Sequence, residues 1–344
     1  MKLLVYPYIK STITLLNDWR YEEEQLNSPF LCNICTGELE RVENNLSCRS
    51  CGERIAAVED GITVFNDATD KLHFFEKKVV DVLEDKYASY GREEFLEGLE
   101  LKDLWEMDEQ NKLVGVTRKL WWESHIGRVE NKRILEVGCG VTYLIPYWLE
   151  TGNKLLAFDV CKESVQLARR FCGSLGVPIS NGHFACADVT TVQFAEQFDL
   201  INVNNVLHHV DDRVEAFRRM GECLSEDGIL LLVEPNYYYP PRWIIETDKF
   251  DPFNFIKRYF MKNNIVEEDE KGIVFSTFKQ ELWEAGFKIY INEKDPNYAG
   301  YFSVYWLKSG SIFSKAIHYL DRIILQWVLP RLLSPFEYII AVKR

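Results

Sequence analysis

An apolar run, Ile134-Leu135-Glu136-Val137, breaks off into Gly138-Cys139-Gly140, and nineteen residues after Gly140 a second apolar run ends in Asp159. No other feature of the 344-residue chain constrains its fold as strongly. Short apolar runs bounded by turn residues read as buried strands. Two glycines leave the backbone bare where the first strand turns, and a helix beginning just beyond offers free N–H groups to a ligand. A carboxylate at the neighbouring strand end can accept two hydrogen bonds from a ribose diol. The same rhythm continues along the C-terminal part. Strands are expected at Ile134–Val137, Leu155–Asp159, His183–Ala187, Leu200–Asn204 and Ile229–Glu234. Helices are expected near Tyr143–Glu150, Lys162–Gly173 and Arg213–Leu224, the last ended by the Asp227-Gly228 turn, and two strands, Lys288–Asn292 and Glu337–Val342, close the chain. Strands alternating with amphipathic stretches predict a parallel α/β sheet.

A dinucleotide loop asks for Gly-x-Gly-x-x-Gly, and Tyr143 stands at the sixth position. The form Glu136-x-Gly138-x-Gly140 instead resembles the first motif of class I S-adenosylmethionine-dependent methyltransferases, although that family often has another glycine where this chain has Thr142. Further signals follow in order: Asp159; Ala187-Asp188-Val189; Phe198 to Val210 with its Leu207-His208-His209 turn; and Ile229–Glu234 followed by Pro235-Asn236. The resemblance covers 132–236 densely and 287–343 loosely. It implies an α/β, Rossmann-like, seven-stranded methyltransferase sheet. It also implies that Gly138, Cys139 and Gly140 cradle the methionine part of S-adenosylmethionine, that Asp159 with Val160 holds the ribose, and that Asp188 with Val189 meets the adenine. Glu136 either touches the cofactor or fixes the loop through backbone N–H groups. Asn204 joins the cofactor set or, with Asn205, orients a polar substrate.

Ahead of this region lie Cys32-Asn-Ile-Cys35 and Cys48-Arg-Ser-Cys51. Two CxxC knuckles at this spacing supply four thiolates to a tetrahedral zinc, leaving no open position for water, so the expected metal is structural Zn2+. Gly37 and Gly52 are expected at positive φ in the knuckle turns, and 53–65 reads as a hairpin. A segment this small needs the metal for its folding free energy. The other five of the nine cysteines read as small core fillers. The expected organisation is an N-terminal segment 1–66 with a zinc ribbon at 31–66, a helical connector or lid at 67–127, and a methyltransferase domain at 128–344 with insertions at about 236–275 and 295–335. Trp105, Trp121 and Trp122 fall in the connector and pack as core or as a lid.

His208 and His209 stand where a base can take the proton of a hydroxyl acceptor. Neighbouring residues at a strand end point oppositely, so at most one faces the pocket; the alternative is that both are turn residues. The aromatic clusters Tyr237-Tyr238-Tyr239 and Tyr298 to Trp306 suit a lid over a small-molecule or glycan-type acceptor or ordinary packing. The expected activity is methyl transfer to such an acceptor, at oxygen, in biosynthesis. Two alternatives remain: a ribbon-bearing class I enzyme also resembles certain ribosomal-RNA guanine methyltransferases, and a non-catalytic cofactor-binding scaffold would share the pocket. A net charge of −13, from 40 Lys plus Arg against 53 Asp plus Glu, disfavours a nucleic-acid partner, whose phosphates need a basic surface. No secretory signal and no transmembrane run is read, so the expected setting is cytoplasmic and reducing. The amphipathic stretch 314–333 docks on the domain or touches a membrane surface.

Overall fold

The computed structural model describes residues 28–68, 91–100, 116–140, 142, 144–239, 272–294 and 334–344. In chain order the strands are β1 (Phe30–Leu31), β2 (Leu39–Val42), β3 (Asn45–Cys48), β4 (Arg54–Glu59), β5 (Ile62–Phe65), β6 (Arg133–Val137), β7 (Lys154–Asp159), β8 (Gly182–Cys186), β9 (Gln193–Phe194), β10 (Phe198–Asn204), β11 (Leu224–Pro235), β12 (Phe287–Lys294) and β13 (Phe336–Lys343). The helices are α1 (Arg92–Glu100), α2 (Val116–Ile126), α3 (Leu144–Glu150), α4 (Lys162–Ser174), α5 (Arg213–Cys223) and α6 (Phe275–Glu284).

One eleven-stranded sheet carries the architecture, in the order β12-β13-β11-β10-β6-β7-β8-β5-β4-β3-β2. The central strands β6, β7, β8, β10 and β11 run parallel, and β13 inserts antiparallel between β11 and β12. Central strands covered on both faces must be apolar almost throughout, and Ile134–Val137, Leu155–Phe158 and Leu200–Asn204 are buried accordingly. Strand order reverses at β6, with β7 on one side and β10 on the other, so a crevice opens beyond the carboxyl ends of these strands.

The seven strands expected from the sequence are all present, but they are not the whole sheet. The hairpin expected at 53–65 forms β4 and β5, and β5 continues the sheet by pairing parallel to β8 (Ile62 opposite Phe184, Val64 opposite Cys186). The cysteine-bearing segment is therefore covalently and by hydrogen bonds an extension of the central layer. Phe30 of β1, which pairs with β9, is fully buried against Phe65, His183 and Phe194 and fastens the ribbon's start to the same layer. The Asp227-Gly228 turn lies inside β11, where the register against β10 shifts; α5 ends earlier, at Cys223, with Leu224 N–H bonded to the Met220 carbonyl.

Within 67–127 the described residues form α1 and α2; 69–90 and 101–115, with Trp105, lie outside the described residues. Trp122 is core: it stacks on Trp148 of α3 with ring centroids 4.9 Å apart. Trp121 donates Nε1–H to Glu293 of β12 and packs on Tyr338 of β13. Tyr143, the stretch 314–333, the Tyr298–Trp306 cluster and most of both insertions also lie outside the described residues. Their described flanks meet at one place. Asn236, buried beyond the end of β11, donates its N–H to the Pro335 carbonyl and its amide to the Ser334 carbonyl, and bridges to Ile273. Both insertions thus leave and rejoin the sheet at its carboxyl edge. Among the described residues, no helix is long and apolar enough to cross a membrane.

Candidate cofactor site and cysteine cluster

The glycine turn occupies the crevice at the end of β6. Gly138 has φ 62° and Gly140 φ 41°, both left-handed. A Cβ on Gly138 would lie 2.2 Å from Cγ2 of Val206, so the bare glycine lets the turn after β10 press against the turn after β6. A Cβ on Gly140 would meet nothing within 4 Å: here the bare backbone faces open space. Thr142, at the place where a further glycine was the alternative, accepts the Leu144 N–H at 3.1 Å and so caps the start of α3.

Asp159, at the end of β7, ties the crevice together. Its Oδ2 accepts the Gly140 N–H at 2.9 Å and its Oδ1 accepts the Cys161 N–H at 3.0 Å, which joins the glycine turn to the start of α4. Burial pushes its carboxyl above the usual range, while the N–H groups of Cys161 and Gly140 pull the other way. Next along the strand ends, Ala187 donates its N–H to the Asp159 carbonyl. Asp188 is buried, its Oδ1 accepting the Thr190 N–H (2.8 Å) and hydroxyl (2.7 Å); Val189 is buried beside it. Val160 is half-buried and its carbonyl faces the Cys186 thiol at 3.2 Å. Cys139 is completely buried, and burial pushes its thiol far up, so the thiolate needed of a nucleophile is disfavoured.

Glu136 accepts from side chains of neighbouring elements and not from the backbone N–H groups of the glycine turn. Its carboxylate is buried within the sheet, accepting the Trp148 indole N–H at 2.8 Å and the Asn202 amide at 2.8 Å. Burial raises its pKa to about 7. It braces β6 against β10 and α3 beneath the turn. Asn204, at the end of β10, is 7% exposed, and among the described residues neither its Oδ1 nor its Nδ2 has a hydrogen-bond partner. A buried amide left unpaired costs about 1–3 kcal/mol. An unpartnered donor and acceptor side by side in the crevice fit a polar ligand. Asn205 follows at φ 57°, exposed, its N–H bonded to the Val233 carbonyl.

His208 and His209 lie in a 3-10 turn, Leu207–His209. Because they lie in a 3-10 turn and not at a strand end, their rings do not point oppositely but lie 3.8 Å apart between centroids; the His208 side chain is 5% exposed, whereas His209 is exposed. The His208 Nδ1 lies 2.8 Å from Oε2 of Glu234, a fully buried carboxylate at the end of β11. Oε1 of Glu234 accepts the N–H groups of Val206 (3.0 Å) and Leu207 (2.9 Å). Burial alone would raise the Glu234 pKa, but His208 and these N–H groups hold it below the usual carboxylate value. The sequence reading passed over Glu234, Asn202 and Trp148. The signal available was an ionisable or amide residue inside an otherwise apolar strand, which has to find a partner.

At the other end of the chain, the Sγ atoms of Cys32, Cys35, Cys48 and Cys51 lie within 4.8 Å of one another, with Cys32–Cys51 at 3.8 Å and Cys35–Cys48 at 3.4 Å. This is a four-thiol set converging on one point, the donor set and compactness that a tetrahedral zinc takes. Gly52 has φ 75° as expected, but in the first knuckle Thr36, not Gly37, takes the left-handed position (φ 60°). Gly37 is needed for closeness: a Cβ there would lie 2.6 Å from Ser50 Oγ and 2.9 Å from Cys48 Sγ. Arg49, one of the few ribbon cations, is paired with Glu38 and Glu40.

A family model described as a methyltransferase domain matches residues 135–232. Curated relatives include the ubiquinone biosynthesis O-methyltransferase of Bradyrhizobium diazoefficiens, 22% identical over 162 residues, covering 42% of this chain and 63% of that protein. The protein of the same name from Actinobacillus pleuropneumoniae is 28% identical over 102 residues, covering 29% of this chain and 44% of that one. The match thus spans less than two thirds of these relatives' length. Among solved structures, an S-adenosylmethionine-dependent methyltransferase from Mesorhizobium loti aligns with a TM-score of 0.42 at 20% identity, over 63% of this chain and 92% of that one. The strand order reversing at β6 and the left-handed glycine turn both lie within the segment, residues 135–232, that matches the methyltransferase-domain model.

Proposed function

We propose that this chain transfers a methyl group from S-adenosylmethionine to a hydroxyl oxygen of a small-molecule or glycan-type acceptor. The observation that carries this reading is the turn holding His208: it packs on Gly138 through Val206 and pairs its ring with buried Glu234. A histidine so held beside the cofactor turn suits a general base, and an acceptor hydroxyl needs one.

The residues present fit the cofactor. Gly140 leaves open space for its methionine part while Gly138 lets Val206 close against the turn; Asp159 stands for the ribose diol, Asp188 and Val189 for the adenine, and the Asn204 amide for its polar groups or those of the acceptor. When bound, the sulfonium supplies an electrophilic methyl carbon. Held positioning of two reactants contributes about 7–11 kcal/mol to lowering a barrier; beneath the glycine turn, Glu136 ties β6 to Asn202 and Trp148. His208 accepts the proton that the acceptor loses. The described flanks of both insertions meet at the carboxyl edge beside Asn236. The names of the ubiquinone relatives support an oxygen acceptor.

Cys32, Cys35, Cys48 and Cys51 would hold a structural zinc. The ribbon's pairing with β8 makes it part of the enzyme's sheet, and its acidic surroundings, with Arg49 neutralised, favour this structural role over an RNA grip. The test is transfer of a labelled methyl group from S-adenosylmethionine to a panel of phenols, catechols and monosaccharides. Label on oxygen for one class, abolished in His208→Ala, supports the reading; tight cofactor binding with no transfer to any acceptor supports the scaffold alternative instead.

A further inference from the structure

Glu234 makes four contacts, all to one turn. Its Oε1 accepts the Val206 and Leu207 N–H groups at 3.0 and 2.9 Å, and its Oε2 lies 3.4 Å from the His208 N–H and 2.8 Å from His208 Nδ1. The carboxylate is fully buried at the end of β11, the strand beside β10, while the turn it grips follows β10 directly. An ionised carboxylate can only accept hydrogen bonds. Facing one, Nδ1 of the neutral imidazole must carry the ring proton, which leaves the lone pair on Nε2.

We propose that Glu234 is the positioning residue of the reaction: it locks His208 in the Nδ1–H tautomer and orientation in which Nε2 takes the acceptor's proton. This role rests on the reading of His208 as the base. The backbone bonds fix where the turn stands, and the fourth contact fixes which nitrogen is basic. Once Nε2 is protonated, the same carboxylate faces a cationic ring, and the buried negative charge stabilises it. Charged groups face the pair from each neighbouring element: the buried Glu337 of β13 stands opposite Glu234 in the sheet, the His209 ring lies tilted against that of His208 with centroids 3.8 Å apart, and Arg213, which also feels Glu234 and Asp211, is held by Glu281 at 2.7 Å.

The test is 15N NMR of the histidine rings in the full, zinc-loaded chain across pH, with calorimetry of S-adenosylhomocysteine alongside. In the wild type the neutral His208 ring is expected to carry its proton on Nδ1. Glu234→Gln keeps a carbonyl for the Val206 and Leu207 N–H groups but turns the His208 contact into an amide. It is expected to shift the ring to the Nε2–H tautomer and leave S-adenosylhomocysteine affinity within about twofold. Glu234→Asp, which keeps the charge, is expected to restore the Nδ1–H form at least in part. A wild-type ring protonated on Nε2 overturns the proposal even if both variants fail to fold, as does a tautomer unchanged in Glu234→Gln. Methyl transfer to the phenol panel that survives in His208→Gln overturns the base assignment itself, and this role with it, and the two failures are distinguishable.

Discussion

Replacing Gly138 with alanine isolates the contact that brings the two halves of the site together. At φ 62° an L-residue pays about 1–2 kcal/mol for the left-handed conformation. The added Cβ would stand 2.2 Å from Val206 Cγ2 and 2.8 Å from Cγ1, and such overpacking costs about 1–3 kcal/mol. The expected loss is therefore about 2–5 kcal/mol, measured by urea unfolding with cofactor absent. The two parts separate in a double variant. Val206→Ala removes both γ-carbons and leaves only its Cβ, 3.0 Å from the added carbon, so Gly138→Ala in that background should recover most of the packing part and keep the conformational part, a coupling of about 1–3 kcal/mol. S-adenosylhomocysteine binding should weaken in Gly138→Ala, because relief of the clash moves the turn. A loss within 0.5 kcal/mol, or the absence of coupling to Val206 (order of magnitude from the same ranges), would refute the argument that this glycine is there to let the β10 turn approach.

Other expectations follow from the same geometry. Asp159→Ala removes the acceptor of the Gly140 and Cys161 N–H groups and the ribose partner, and should weaken S-adenosylmethionine binding about tenfold or more, the scale of a lost charged hydrogen bond, with far-UV circular dichroism unchanged. One zinc per chain is expected by elemental analysis, lost in Cys32→Ser or Cys51→Ser; metal-free wild-type protein would remove the ribbon assignment. Glu136 gives a pH signature. Its folded pKa, raised to about 7, exceeds the unfolded value, so its stabilising share is full below the unfolded pKa and is lost as pH rises through about 7. Stability should fall by a few kcal/mol (about 1.4 kcal/mol per unit) across that window, and Glu136→Gln should flatten the fall; an unchanged pH profile in the variant would contradict it.

The sheet was legible because its strands are short, branched and apolar, and because Gly-x-Gly and Asp159 each need a specific backbone setting. Strand boundaries moved by a residue or a few, except β11, which begins at Leu224 immediately after α5. What could not be read was pairing between distant segments. Nothing local in Ile62-Thr-Val-Phe65 says that it will lie along Phe184-Ala-Cys186 and not close a separate ribbon. Two-residue strands such as β1 and β9 carry no periodicity at all. The site was half legible for the same reason. Glycines and acidic residues at strand ends announce themselves by position, whereas Glu234 and Asn202 act through partners on other strands. Glu136 showed the limit most clearly: its spacing marked it as important, but only the fold shows that it faces Trp148 and Asn202.

The central claim is a pocket that grips an adenosyl sulfonium, and calorimetry of the intact zinc-loaded chain tests it most directly. Titrated separately with S-adenosylmethionine and with NAD, the chain should show one saturable site for the sulfonium, weakened in Asp159→Ala, and no heat of binding for the dinucleotide. Binding of NAD with no response to S-adenosylmethionine up to millimolar concentration would contradict it.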